Sequence, residues 1–180
     1  MKYKNNNPRR GKLLYGNPEN FGDLWDLEVD ASYGQGIACC GLLIRDPAHN
    51  IWKHQARIEE VKDSGIAEAA AICYALQVAR EYGIDHVKLL TDSHQTYMAL
   101  ARETTAGISG RLSPRGVKGA RKHILPWVNR IEASYSDFQE VRIVWASRHF
   151  NQEADALAHS YLSLLRLSEG GPAGALNGPL

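Results

Sequence analysis

The chain has 180 residues, with 21 Lys or Arg against 20 Asp or Glu and a formal net charge of +1. That balance excludes a globally basic surface, so attraction to phosphates must come from local patches. No apolar run reaches the roughly 18–20 residues a membrane span needs, and the first ten residues lack a hydrophobic signal core.

Residues 1–22 are rich in Asn, Gly and Pro and read as a flexible N-terminal segment. Strand signals follow. Residues 24–30 are mostly apolar and end in Asp30. Residues 37–45 are apolar throughout, as in a central strand. Residues 46–50 are a turn cluster, and 51–58 alternate like a half-exposed strand. These three form an antiparallel meander. Residues 67–82 are alanine-rich with apolar positions at helical spacing, and Gly83 closes the helix. A short buried strand spans 86–91. Ser93 is an N-cap for a helix through residue 102. Residues 103–119 hold several glycines and basic side chains, a loop long enough to suspect a function. A helix over 121–134, a strand over 141–146 and an amphipathic helix over 154–167 complete the order β-β-β-α-β-α-α-β-α. Residues 168–180 read as a flexible tail. The expected architecture is one α/β domain over 23–167, a five-stranded mixed sheet flanked by helices. Three strands form the meander and two are parallel. Cys39, Cys40 and Cys73 are odd in number, lie in apolar segments and lack zinc-type spacing, which fits buried thiols in a reduced, intracellular chain.

Four acids stand at strand ends and helix starts, where α/β folds expose chemistry. Asp30 ends the first strand, Glu68 lies near the start of the first helix, Asp92 follows the fourth strand, and Asp155 lies in the lead-in to the last helix. Gathered together, such carboxylates make a hard-cation site suited to phosphodiester hydrolysis. One carboxylate cannot hold two dications, whereas three or four can.

The segments carrying these acids, Val29-Asp30-Ala31-Ser32, Ala67-Glu68-Ala69, Thr91-Asp92-Ser93 and Asn151 to Ala158, resemble the ribonuclease H family, especially its short plant- and archaeal-like branch. The likeness covers about residues 24–165. It implies a ribonuclease H-like fold and metal-dependent endonucleolytic hydrolysis of the RNA strand of RNA–DNA hybrids, with two Mg²⁺ ions or Mn²⁺ in their place. It further implies that Asp30 bridges both ions, that Glu68 and Asp92 hold one, and that Asp155 holds the other. His149, six residues before Asp155, stands where many relatives carry a histidine for proton transfer or product release, on a shortened loop. Neighbouring Arg148 is a candidate phosphate contact. Ser32 and Ser93 lie where the family contacts the RNA strand, and Arg115, Lys118 and Arg121 where some members grip the DNA strand. The chain is expected to act as a monomer. Another nuclease chemistry, or a non-catalytic nucleic-acid-binding module of the same fold, are the alternatives.

Overall fold

The computed structural model describes residues 12–15, 24–105 and 123–170. One mixed sheet carries the fold. Strands β1 (Lys12–Tyr15), β2 (Trp25–Gly34), β3 (Ile37–Arg45), β4 (Ile51–Glu60), β5 (His86–Thr91) and β6 (Glu140–Trp145) lie in the order β1-β6-β5-β2-β3-β4. The expected five strands are present: β2, β3 and β4 form the antiparallel meander, and β5 and β6 run parallel to β2. A sixth strand was not anticipated. Residues 12–15, inside the segment read as a flexible lead-in, pair parallel to β6. Four residues give too short a period-2 pattern to stand out among Asn, Gly and Pro.

The β2–β3 hairpin turns through Gln35 and Gly36, both at positive φ (56° and 80°), the two-residue geometry that matches the twist of paired strands. Helix α1 (Ser64–Glu81) begins three residues before the expected start, because Asp63 caps it: its Oδ1 accepts from Ile66 N at 2.9 Å. At its other end Gly83 sits at φ 70°, and Ile84 N donates to Ala79 O while Gly83 N donates to Arg80 O, which satisfies the last carbonyls. The predicted cap on α2 (His94–Thr105) is present, with Ser93 Oγ accepting from Thr96 N at 3.4 Å. Helix α3 (Leu125–Ser134) carries Pro126 in its first turn, where a missing N–H costs nothing. Helix α4 (Gln152–Gly170) starts earlier and ends later than expected. No described helix is long and apolar enough to cross a membrane.

The helices divide between the two faces. Leu27, Val29, Cys40, Leu42, Leu89 and Ile143 point into a core shared with Ala67, Ala70, Ala71, Ile72, Ala75 and Leu76 of α1 and with Val128 and Ile131 of α3. The small alanines let α1 lie close to the sheet. Helix α4 covers β2 and β3 from the other face through Ala154, Ala158 and Leu162, all buried. Gly41 makes this approach feasible: a Cβ there would lie 2.5 Å from Ala154 O and 2.9 Å from Ala158 N.

Candidate active site

The pairing of β2 with β5 runs from Trp25–Val87 to Glu28–Leu90 and then stops. Beyond that point β2 continues alongside β3 only, while β5 ends. Asp30 and Asp92 stand on the two sides of this opening, each two residues past the last pair. The opening is also where the chain order reverses, β5 leading to β6 on one side and β2 to β3 on the other, the usual place for a site in an open α/β sheet. Glu68 enters from the first turns of α1 and Asp155 from the first turn of α4.

Carboxylate oxygens of Asp30, Glu68 and Asp92 all lie within 4.8 Å of one another. Asp155 lies outside that group of three, near enough for its charge to raise the Asp30 carboxyl, and Arg148 links it to Asp92. Three of the four acids expected from the sequence therefore meet within ligand distance, and Asp155 stands beside them. Burial, then repulsion from Asp92 and Asp155, pushes the Asp30 carboxyl up to about 7. Burial, followed by Asp30 and Asp92, pushes Glu68 up to about 9. Glu68 Oε2 is buried with no hydrogen-bond partner. A buried acceptor left unsatisfied costs about 1–3 kcal/mol. An orphaned oxygen facing two further carboxylates is what a hard divalent cation with oxygen ligands would satisfy, so this donor set fits Mg²⁺ or Mn²⁺.

Surrounding residues hold the acids in place. Trp145 Nε1 donates to Asp92 O at 3.1 Å, Ser93 N donates to Thr91 Oγ1, and Ala146 N donates to Thr91 O, so the end of β5 is tied to β6. Asn151 is fully buried, and its Nδ2 donates to Val29 O at 2.7 Å. That bond joins the start of α4 to the residue before Asp30 and so fixes Asp155 relative to Asp30. Along the chain Asn151 carries no mark of this role. Its only signal was a polar residue just ahead of an amphipathic helix, which ordinarily means a cap.

Arg148 reaches over the cluster, with Nη2 2.9 Å from Asp155 Oδ1 and Nε 4.0 Å from Asp92 Oδ2. Its side chain is 74 % exposed, so it is free to move to another anion. His149 is also exposed and packs edge-on to Phe150. It makes no hydrogen bond with the four carboxylates and instead lines a neighbouring cavity of about 630 Å³ with Asp26, Glu28, Arg45 and Lys88. Ser32 is half-buried on β2, opposite Cys39. Ser93 Oγ is engaged with Thr96 in the cap of α2. Arg115, Lys118 and Arg121 lie outside the described residues.

A mixed sheet with carboxylates converging at its central opening and a helix crossing each face defines a ribonuclease H-like protein. The profile of the reverse transcriptase-like family matches residues 28–161, and the chain belongs to that family. Among solved structures, the fold is similar to ribonuclease H1 from the halophilic archaeon Halobacterium salinarum (20 % identity, 77 % of this chain and 97 % of that one, TM-score 0.63). It is likewise similar to an N-terminal ribonuclease H domain from Mycobacterium tuberculosis (21 % identity, 83 % and 100 % coverage, TM-score 0.59). A third similar structure is LC11-RNase H1 in complex with an RNA/DNA hybrid (18 % identity, 76 % and 94 % coverage, TM-score 0.53). No curated protein sequence matches the chain.

Proposed function

We propose that this protein is a metal-dependent endonuclease that hydrolyses the RNA strand of RNA–DNA hybrids. The observation that carries this reading is the convergence of Asp30, Glu68 and Asp92 around a buried, unpartnered Glu68 oxygen. Asp30 would bridge two divalent cations, Mg²⁺ or Mn²⁺, with Glu68 and Asp92 holding one and Asp155 the other. When bound, such ions make water a nucleophile near neutral pH and neutralise charge on the phosphate.

The chain's own residues do the rest. Asn151 and Trp145 keep the acids at fixed separation, so little reorganisation is needed when substrate arrives. Arg148 holds the carboxylates' charge in the resting state and turns to the scissile phosphate in the complex. His149 assists proton transfer or product release from the flank. Ser32 and Ser93 contact the RNA strand, and Arg115, Lys118 and Arg121 the DNA strand. The protein acts as a monomer, in an intracellular compartment where its three cysteines stay reduced.

The test uses a hybrid labelled on its RNA strand, incubated with Mg²⁺, Mn²⁺ or EDTA and with wild type or Asp92→Asn. Internal cleavage that requires metal and disappears in the variant is expected. Binding without cleavage under every metal condition would overturn the nuclease reading in favour of a non-catalytic module.

A further inference from the structure

Helix α4 presses a stripe of residues spaced by four onto β2 and β3. Ala154, Ala158 and Leu162 are 0 %, 0 % and 4 % exposed. The next position in the stripe is not apolar. It is Arg166, exposed where the sheet runs out at the β2–β3 turn. Facing it on β2 is Gly34, and a Cβ at residue 34 would overlap the Arg166 guanidinium. The guanidinium thus lies directly over the strand, and a side chain at 34 would require it to shift.

Among the described residues the guanidinium has no hydrogen-bond or ion-pair partner. Arg45, Arg57, Arg80, Arg142 and Arg148 each pair with a carboxylate, and Arg130 lies over the Trp127 ring. Arg166 alone among the arginines with described side chains has neither. The other residues on its row of the sheet are Gly34, Ile37 and Glu60, and Glu60 makes no ion pair with it. Asp30 lies four positions back along the same strand, about 13 Å at 3.3 Å per residue. That distance is the rise of about four nucleotides in one strand of a duplex. Arginine is the side chain suited to a phosphate diester, through its planar fork of donors.

We infer that Arg166 is a phosphate contact for the nucleic-acid strand that passes the β2–β3 turn, and that it positions the duplex a few nucleotides from the carboxylates. This inference rests on the hybrid-cleaving reading for its substrate, but it assigns a binding role that the four acids do not need. Arg166 is a positioning residue: it touches the backbone away from the reacting atoms.

The full chain, as wild type, Arg166→Gln, Arg166→Lys and Gly34→Ala, is compared for binding to a fluorescent RNA–DNA hybrid in EDTA over a salt series, and for cleavage kinetics in Mg²⁺. Arg166→Gln is expected to reduce the slope of log K against log salt by about one. It should raise KM about tenfold with kcat within about twofold, the pattern of lost uniform binding. Arg166→Lys keeps the slope. Gly34→Ala makes the guanidinium shift and is expected to raise KM by less than Arg166→Gln does, with no further effect in the double variant; Arg166→Ala carries the test should Arg166→Gln fold poorly. An unchanged slope and KM in Arg166→Gln would overturn the inference, as would Arg166→Lys behaving like Arg166→Gln. A wild type that binds the hybrid without cutting it would remove the nuclease reading while the salt slope still decides Arg166. A wild type that does not bind at all would remove both.

Discussion

Strand β2 places three acids on one face, Asp26, Glu28 and Asp30, and the first two differ sharply from the third. Asp26 is 5 % exposed and lies 2.9 Å from the Nζ of Lys88, itself 1 % exposed, with His49 Nδ1 3.2 Å away. Glu28 takes Arg45 at 2.7 Å, and Arg45 also pairs with Glu153. Asp30, equally buried, faces Glu68, Asp92 and Asp155, and among the described residues the exposed Arg148 is the cation beside them. Buried charge is tolerated when it is neutralised from within. Where carboxylates crowd together with few cations among the described residues, their charge is relieved by bound protons, which the raised Asp30 and Glu68 carboxyls reflect, or by a bound cation. The acids at 26 and 28 are paired within the fold, whereas the cluster at 30 is a group of carboxylates that could hold a metal ion.

Breaking the cluster should have the largest effect. Asp30→Asn is expected to reduce metal-dependent cleavage at least about a thousandfold, near 4 kcal/mol of barrier. Its melting temperature in EDTA should equal or exceed that of wild type, because a like charge has been removed, and Mg²⁺ should no longer raise it. A variant that unfolds, or that still cleaves, would erase the distinction between the two regions. Breaking the paired region should do the reverse. Lys88→Met leaves Asp26 buried beside His49 alone and should cost about 3–5 kcal/mol in denaturant unfolding. Adding Asp26→Leu should recover most of that loss.

His149 lines the cavity beside the paired region and makes no bond to the cluster. His149→Ala is therefore expected to lower kcat about tenfold, below the span of a full general acid or base. A loss near that of Asp30→Asn would place it at the reacting atoms.

The smallest effect concerns pH. A carboxyl whose folded-state pKa lies above its unfolded value binds its proton more tightly when folded. Its contribution is fully present below the unfolded value, near 4–4.5, and is lost as pH rises through about 7 for Asp30 and about 9 for Glu68. In EDTA the melting temperature should fall between pH 5 and 9 more steeply for wild type than for Glu68→Gln, and saturating Mg²⁺ should level the two. Parallel curves in EDTA would mean that Glu68 carries no excess charge cost.

Much of the fold was legible along the chain. Hydrophobic periodicity marked the five main strands and four helices, because a half-buried surface imposes its period on any sequence that forms it. Ser93 announced the start of α2 because a cap is a contact over three residues. The start of α1 was placed late, since the Asp63 cap precedes any apolar repeat. The four acids were legible through their spacing and their resemblance to a family, and each came out on the element expected of it.

What the sequence by itself determined was local or periodic: element order, the mixed sheet, and which acids stand at strand ends and helix starts. Only the tertiary structure decided which of those acids are neutralised. Lys88 reads as a lone charge in an apolar strand until β5 lies beside β2 and brings it to Asp26. Asn151 reads as a helix cap until its amide meets Val29 O, 122 residues away in the chain. Arg166 reads as an ordinary helix-end cation until Gly34 is found beneath it. Electrostatic energy depends on distance and on exclusion of water, and both are fixed by long-range packing that no short pattern encodes.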